Sequence, residues 1–178
     1  MCLWQKKYTW AKNLHLTINV STIQLLRADF PQEVKSIFEE TKLNPNLVAL
    51  EITETAFITD KEQASRQIDK LKSLGLQIYL DDFGTGYSSL NLINLFEIDA
   101  LKIDRQFINS YEDIKQAELI KTIIALGKSV GINTIAEGIE TKTQLDFLLD
   151  AGCPHGQGYY YYKPLNLKQV DQLLADQN

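Results

Sequence analysis

Cysteine and histidine are scarce: 178 residues contain two of each. Cys2 and Cys153 cannot build a disulfide framework, and His15 and His155 cannot build a histidine-rich zinc site. No apolar run approaches the roughly 18 residues of a membrane-spanning helix, and residues 1–7 lack the basic-then-apolar layout of a signal peptide. There is no basic stretch either. Lys and Arg number 18 against 23 Asp and Glu, a net charge of −5, which argues against DNA or RNA as a partner because nothing would release phosphate counterions. Low-complexity tracts, charge blocks and linker-like segments are also missing. The composition, 44% hydrophobic with 23% charged, excludes wholesale disorder. A reduced, cytoplasmic, single-domain protein with a real core is the expectation.

Short apolar strands alternate with longer amphipathic segments. Strands are predicted at residues 14–20, 48–53, 77–80, 100–103 and 133–136, with a weaker sixth at 157–160. A helix is predicted to start near Pro31, a favoured first-turn residue, and to run towards Leu43. Asp60 with Gln63, and Thr141 with Gln144, have the spacing of capping boxes; Gly75, Gly131 and Gly152 read as helix stops, and Asn166 as the cap of a last helix. Six βα units at this spacing predict an α/β fold with a parallel sheet. Doubly wound sheets and (β/α) barrels both fit, although no GxGxxG follows the first strand.

The placing of polar residues is the informative feature. Asn19 closes the first strand, Glu51 lies in the second with Glu54 just after, and Asp81-Asp82 end the third. Lys102 and Asp104 belong to the fourth, Glu137 ends the fifth and Gln157 begins the sixth. In a parallel α/β fold the C-terminal strand ends share one face, where barrel enzymes place their chemistry. Glu51, Asp81, Asp82 and Glu137, with Asn19 as a neutral donor, form an oxygen-rich set of the kind hard divalent ions prefer. So many carboxylates cannot converge ionised without cations. Paired aspartates suit two ions about 3.5–4 Å apart, as in phosphodiester cleavage. Lys102 reads as a counter-charge or as a group that orients water. Blander readings stand beside these. Asp81-Asp82 fits a strand-to-helix turn with an N-cap, Glu54 a cap or surface residue, and Asn19 a strand-end hydrogen bonder. The run Tyr159-Tyr160-Tyr161-Tyr162 fits packing on a strand that alternates faces.

In order along the chain stand Asn19-Val20-Ser21, Glu51-Ile52-Thr53-Glu54, Asp81-Asp82-Phe83-Gly84-Thr85-Gly86-Tyr87-Ser88-Ser89-Leu90, Leu101-Lys102-Ile103-Asp104, Ala136-Glu137-Gly138-Ile139-Glu140, and Gly156-Gln157-Gly158-Tyr159 with Lys163-Pro164-Leu165. Taken together they resemble the EAL-domain cyclic di-GMP phosphodiesterases over essentially the whole chain. The resemblance implies a TIM-type (β/α) barrel and a bacterial signalling hydrolase that opens cyclic di-GMP to linear pGpG with Mg²⁺ or Mn²⁺ in a two-metal site. It implies metal ligation by Asn19, Glu51, Asp81 and Glu137, with Asp82 at or beside the second ion. Catalytic roles then fall to Lys102, Glu137 and Asp82. Lys102 contacts the catalytic water, and Asp104 and Gln157 lie towards the substrate. Glu54 and Glu140 match residues that hold the loop from Phe83 to Ser89, which the family links to metal binding and homodimerisation.

One departure is large. The family's name comes from a Glu-Ala-Leu triplet whose glutamate is a metal ligand, and no such triplet occurs here. The expectation is therefore an N-terminally truncated barrel of about six βα units, with one ligand missing. Residues 1–13 would be the remnant of a helix and 14–178 a partial EAL domain, leaving the first and sixth strands as unpaired edges. Phe96-Glu97 before Ile98, and Tyr162 before Lys163, are smaller departures. Weak or absent activity of the isolated chain follows from this reading. The alternatives are an inactive module that binds cyclic di-GMP or a protein, a dimerising scaffold, and outside the family a metal-dependent phosphohydrolase with other substrates.

Overall fold

Side chains alternate across a strand, so one face of each strand here can be apolar and the other polar. The computed structural model describes residues 2–84 and 90–176. Six parallel strands, β1 (Leu16–Val20), β2 (Val48–Thr53), β3 (Gln77–Phe83), β4 (Ala100–Ile103), β5 (Asn133–Ala136) and β6 (His155–Gly156), pair in sequence order. They form the wall of a half-barrel. Leu50 and Ile52, Ile78 and Leu80, and Leu101 and Ile103 point outward and are almost fully buried. The helices over them are α1 (Cys2–Lys7), α2 (Thr22–Leu25), α3 (Phe30–Thr41), α4 (Glu54–Thr59), α5 (Lys61–Ser73), α6 (Leu90–Leu95), α7 (Arg105–Asn109), α8 (Ile114–Val130), α9 (Lys142–Asp150) and α10 (Leu167–Asp176). One continuous core joins sheet and helices; in it Phe57 of α4 meets Phe96 edge-on at 4.6 Å between ring centres.

Local signals account for most boundaries. Thr141 and Gln144 form a complete capping box, Asp60 accepts from the Gln63 amide at 2.9 Å, and Asn166 accepts from the Gln169 amide at 3.1 Å. Each satisfies a helix-end donor that would otherwise be orphaned. Gly131 closes α8 in the left-handed conformation at φ 75°, which costs an L side chain but not glycine. The Pro31 helix ends at Thr41, with Lys42 left-handed, two residues short of Leu43.

Three expectations are corrected. The sixth strand is His155–Gly156, not residues 157–160; the Ile139 amide donates to the Gln157 carbonyl and the Tyr160 amide to the Ile139 carbonyl, folding that stretch into a loop. The four tyrosines accordingly do not alternate on a strand, and all are 40–56% exposed. The third strand runs three residues further than residue 80, so Asp81-Asp82 belong to a strand and not to an N-capping turn. Pairing between β3 and β4 slips between Leu80 and Phe83, as at a β-bulge.

Among the described residues β1 pairs only with β2, and β6 only with β5. Leu16 and Ile18 of β1 remain 37% and 44% exposed. Outside the sheet, Tyr8 and Ala11 pack with Leu174 of α10, and Lys7 pairs with Asp171 at 2.8 Å, tying the two ends of the described chain together. No helix among the described residues is long and apolar enough to cross a membrane.

Candidate functional site

Strand register sets the site. Asn19 pairs with Glu51, Glu51 with Tyr79, Tyr79 with Ala100, and Lys102 with Ile135. Counting by twos puts Glu51, Asp81, Lys102 and Glu137 on the inner face, towards the C-terminal ends of four neighbouring strands. Their side chains meet there. Lys102, 3% exposed, places its Nζ 2.8 Å from Glu51 Oε2, 2.9 Å from Asp81 Oδ1 and against Glu137 Oε1. Asp81 Oδ1 also accepts from the Asp82 amide at 3.1 Å, which fastens the bulge.

Charge balance in this cluster is uneven. Burial works against the Lys102 ammonium, but Glu137, Glu51 and Asp81 outweigh it and its pKa is raised. Burial raises the Glu137 carboxyl; the ammonium pulls it back down, while Asp81 and Glu51 push it further up. The Asp82 carboxyl is raised by burial, by the charge of Asp81 and by its hydrogen bond with Asp104. Three carboxylates surround one ammonium, so a further cation is welcome electrostatically.

Asp82 is also held at φ 55°, a region unfavourable for residues other than glycine and less so for asparagine. A carboxyl raised in the folded state binds protons that the unfolded state has released. Stability therefore falls as pH rises from the ordinary aspartate pKa through the raised one. Asp82→Asn removes both charge and part of the strain. It is expected to raise the Tm of the cation-free chain at pH 7.5 by about 2–4 °C, the shift that about 1 kcal/mol gives in a domain of this size. Much of that gain should vanish near pH 3, where aspartate is protonated in both states. Thermal unfolding at the two pH values checks this, and a lower Tm at pH 7.5 contradicts it.

A cavity of about 390 Å³ opens at the C-terminal ends of β4, β5 and β6. Gln157 and Glu140, both expected from the sequence, line it together with Arg105, Lys163, Tyr159 and Tyr162. Gly158 lies so close to Ile139 that an added Cβ would stand 2.2 Å from its carbonyl oxygen, so the loop carrying Gln157 needs glycine there. Arg105 was missed by sequence reasoning, and Lys163 was read only as part of the Lys163-Pro164-Leu165 motif, without a role. The available signal was the position of Arg105 directly after Asp104 at a strand end. Two cations, two phenol rings and an amide around one cavity suit an aromatic anion such as a nucleotide.

The remaining candidates are less gathered. Asn19 lies beside Glu51 in the sheet but is exposed. Asp104 caps α7, accepting from the Gln106 amide at 2.8 Å. Glu54 is buried at the start of α4, and among the described residues its Oε1 has no hydrogen-bond partner. The loop that Glu54 and Glu140 were expected to hold falls mostly on residues 85–89, outside the described residues.

As donors, Glu51, Asp81 and Glu137 fit a hard divalent cation in chemistry, all oxygen and all anionic. Among the described residues no group of three or more His, Cys, Asp or Glu side chains is arranged to hold a metal ion. The ammonium of Lys102 takes the centre of this cluster.

Comparison with known proteins gives a consistent picture. Residues 3–164 match the family model described as the EAL domain. The chain is 35% identical over 164 residues to the cyclic di-GMP phosphodiesterase NbdA of Pseudomonas aeruginosa, covering 92% of this chain and 21% of that protein. It is 36% identical over 151 residues to the probable cyclic di-GMP phosphodiesterase PdeB of Escherichia coli K12, covering 85% of this chain and 28% of PdeB. The structure of the PaMucR phosphodiesterase in complex with cyclic di-GMP superposes with a TM-score of 0.89 at 33% identity, over 96% of this chain and 68% of that one. The chain thus spans between a fifth and a third of the length of these curated relatives, 21% and 28%.

Proposed function

Because the chain belongs to the EAL domain family, we propose that its inner-face cluster serves divalent-cation-dependent hydrolysis of cyclic di-GMP to linear pGpG. The observation that carries this reading is the convergence of Glu51, Asp81 and Glu137 on Lys102 at the strand ends, together with a cavity that Gly138, the residue after Glu137, lines along with two cations and two tyrosines. Glu51, Asp81 and Glu137, with Asn19 and Asp82, are the residues that would hold Mg²⁺ or Mn²⁺. When bound, such an ion supplies Lewis acidity and a water that is nucleophilic at neutral pH. Lys102 orients that water and balances the charge developing on phosphorus-bound oxygen. Arg105, Lys163 and Gln157 bind the nucleotide, the first two through its phosphate charge and the tyrosines by stacking. In the reaction one water adds to phosphorus, the bond from phosphorus to the 3′-oxygen breaks, and that oxygen leaves as a hydroxyl carrying a proton from the water. A nucleotide second messenger of bacteria implies a cytoplasmic setting. Homodimerisation through residues 83–89 belongs to the same proposal.

A second reading has its own support. The lysine-filled centre favours a module that binds cyclic di-GMP and turns it over slowly or not at all. A substrate panel separates the possibilities. With Mn²⁺ present, cyclic di-GMP should give a product of the mass of pGpG, while cyclic di-AMP and bis(p-nitrophenyl) phosphate remain intact. Binding of cyclic di-GMP without product selects the second reading. Equal hydrolysis of all three compounds overturns the assigned substrate.

A further inference from the structure

Lys102 is more than a neighbour of the carboxylates. Its Nζ contacts one oxygen from each of β2, β3 and the end of β5, at 2.8 Å from Glu51, 2.9 Å from Asp81 and in direct contact with Glu137. Side-chain exposures of 6%, 14% and 18% leave these carboxylates little water to turn towards. The ammonium stands where a hard cation with three oxygen ligands would stand. Such an ion prefers oxygens at 2.0–2.6 Å, and a divalent charge and an ammonium cannot share one centre without strong repulsion.

We infer that Lys102 is an internal counter-cation holding the seat among Glu51, Asp81 and Glu137, and that a divalent ion enters only as the ammonium withdraws. The inference rests on the reading of this cluster as the cation site. The lysine stem is a flexible four-carbon chain, and a destination lies nearby. Asp82 follows Asp81 at the end of β3, and Asp104 stands two residues beyond Lys102, at the cap of α7. An ammonium displaced from the seat gains anionic partners there. The same lysine then has two positions: in the seat it keeps the cation-free site folded and closed to ions, and out of it the side chain is free to meet water and substrate. Cation entry and the placing of Lys102 for chemistry become one event, with cation affinity set by competition against a covalently attached rival.

The test is cation binding by the whole chain, measured by calorimetry with Mn²⁺ alone. Lys102→Met removes the rival charge and keeps an unbranched stem. It is expected to bind Mn²⁺ about tenfold tighter than the unaltered chain, or more, the scale on which groups around a metal alter its affinity. Equal or weaker binding by the variant, with clear binding by the unaltered chain, overturns the counter-cation role and leaves the cation site standing. Binding by neither protein overturns both. If Lys102→Met does not fold, the unaltered chain supplies the answer by nitrogen-15 NMR of its lysine ammonium groups. The buried ammonium should give a slowly exchanging signal that shifts or vanishes as Mg²⁺ saturates. A signal unchanged at saturation overturns the inference.

Discussion

Lys102→Met is expected to cost the cation-free chain about 3–5 kcal/mol of stability, the usual result of removing one partner from a buried ion pair. The charge itself is not a large net source of stability, since taking four ionised groups out of water is costly before they attract one another. What the lysine prevents is worse. Without it, Glu51, Asp81 and Glu137 face each other across a space with no cation, and the carboxylates must take up protons or force the strands apart. A loss of that size corresponds to a Tm lower by roughly 10 °C or more. Mn²⁺ should restore much of it, because a ligand that binds only the folded state stabilises by mass action. Urea unfolding with and without Mn²⁺ measures both quantities. A loss below about 1 kcal/mol, the scale of an exposed pair, would mean that the carboxylates already reach solvent.

Asp81→Ala should lower the rate of cyclic di-GMP hydrolysis by about 10²–10³-fold or more, at least the scale on which losing one transition-state contact acts. Asp81 combines two tasks: Oδ1 contacts the ammonium at 2.9 Å and accepts from the Asp82 amide at 3.1 Å. Removing it deletes an oxygen donor and loosens the bulge that aims Asp82. Asp81→Asn separates these tasks, since the amide oxygen still accepts from Asp82 but carries no charge. Both variants should lose activity, and Asp81→Asn should keep the stability that Asp81→Ala gives up. An active Asp81→Asn would show that the carboxylate charge is dispensable.

Much of the inner face was legible in the sequence because period-2 strands expose their chemistry. Glu51 and Lys102 each stand at a position whose neighbours in the chain are apolar and outward-facing, and a charge there has one direction to point. Capping residues marked α5, α9 and α10 for a similarly local reason. The failures share a cause in longer-range contacts. Residues 157–160 have an aromatic, strand-like composition, yet backbone hydrogen bonds to Ile139 fold them into a loop. That pairing depends on a residue 18 positions or more away. Asp81-Asp82 read equally as a turn because a bulge is defined by the partner strand, here β4. Arg105 became visible, and Lys163 gained a role, only when β4, β5 and β6 brought their following loops around one cavity. Asn19 shows the converse, a well-placed residue in sequence and register that is exposed on an edge strand.

The most direct measurement is product formation from cyclic di-GMP by the unaltered chain and by Asp81→Ala, each with Mn²⁺ and with chelator, followed by chromatography. Linear pGpG should form with the unaltered chain only when Mn²⁺ is present, at the weak rate expected of a sequence without the Glu-Ala-Leu glutamate, and should fall to background in the variant. Product formed equally by both proteins, or formed in chelator, would contradict the assignment of the Lys102-centred carboxylates as the site of hydrolysis.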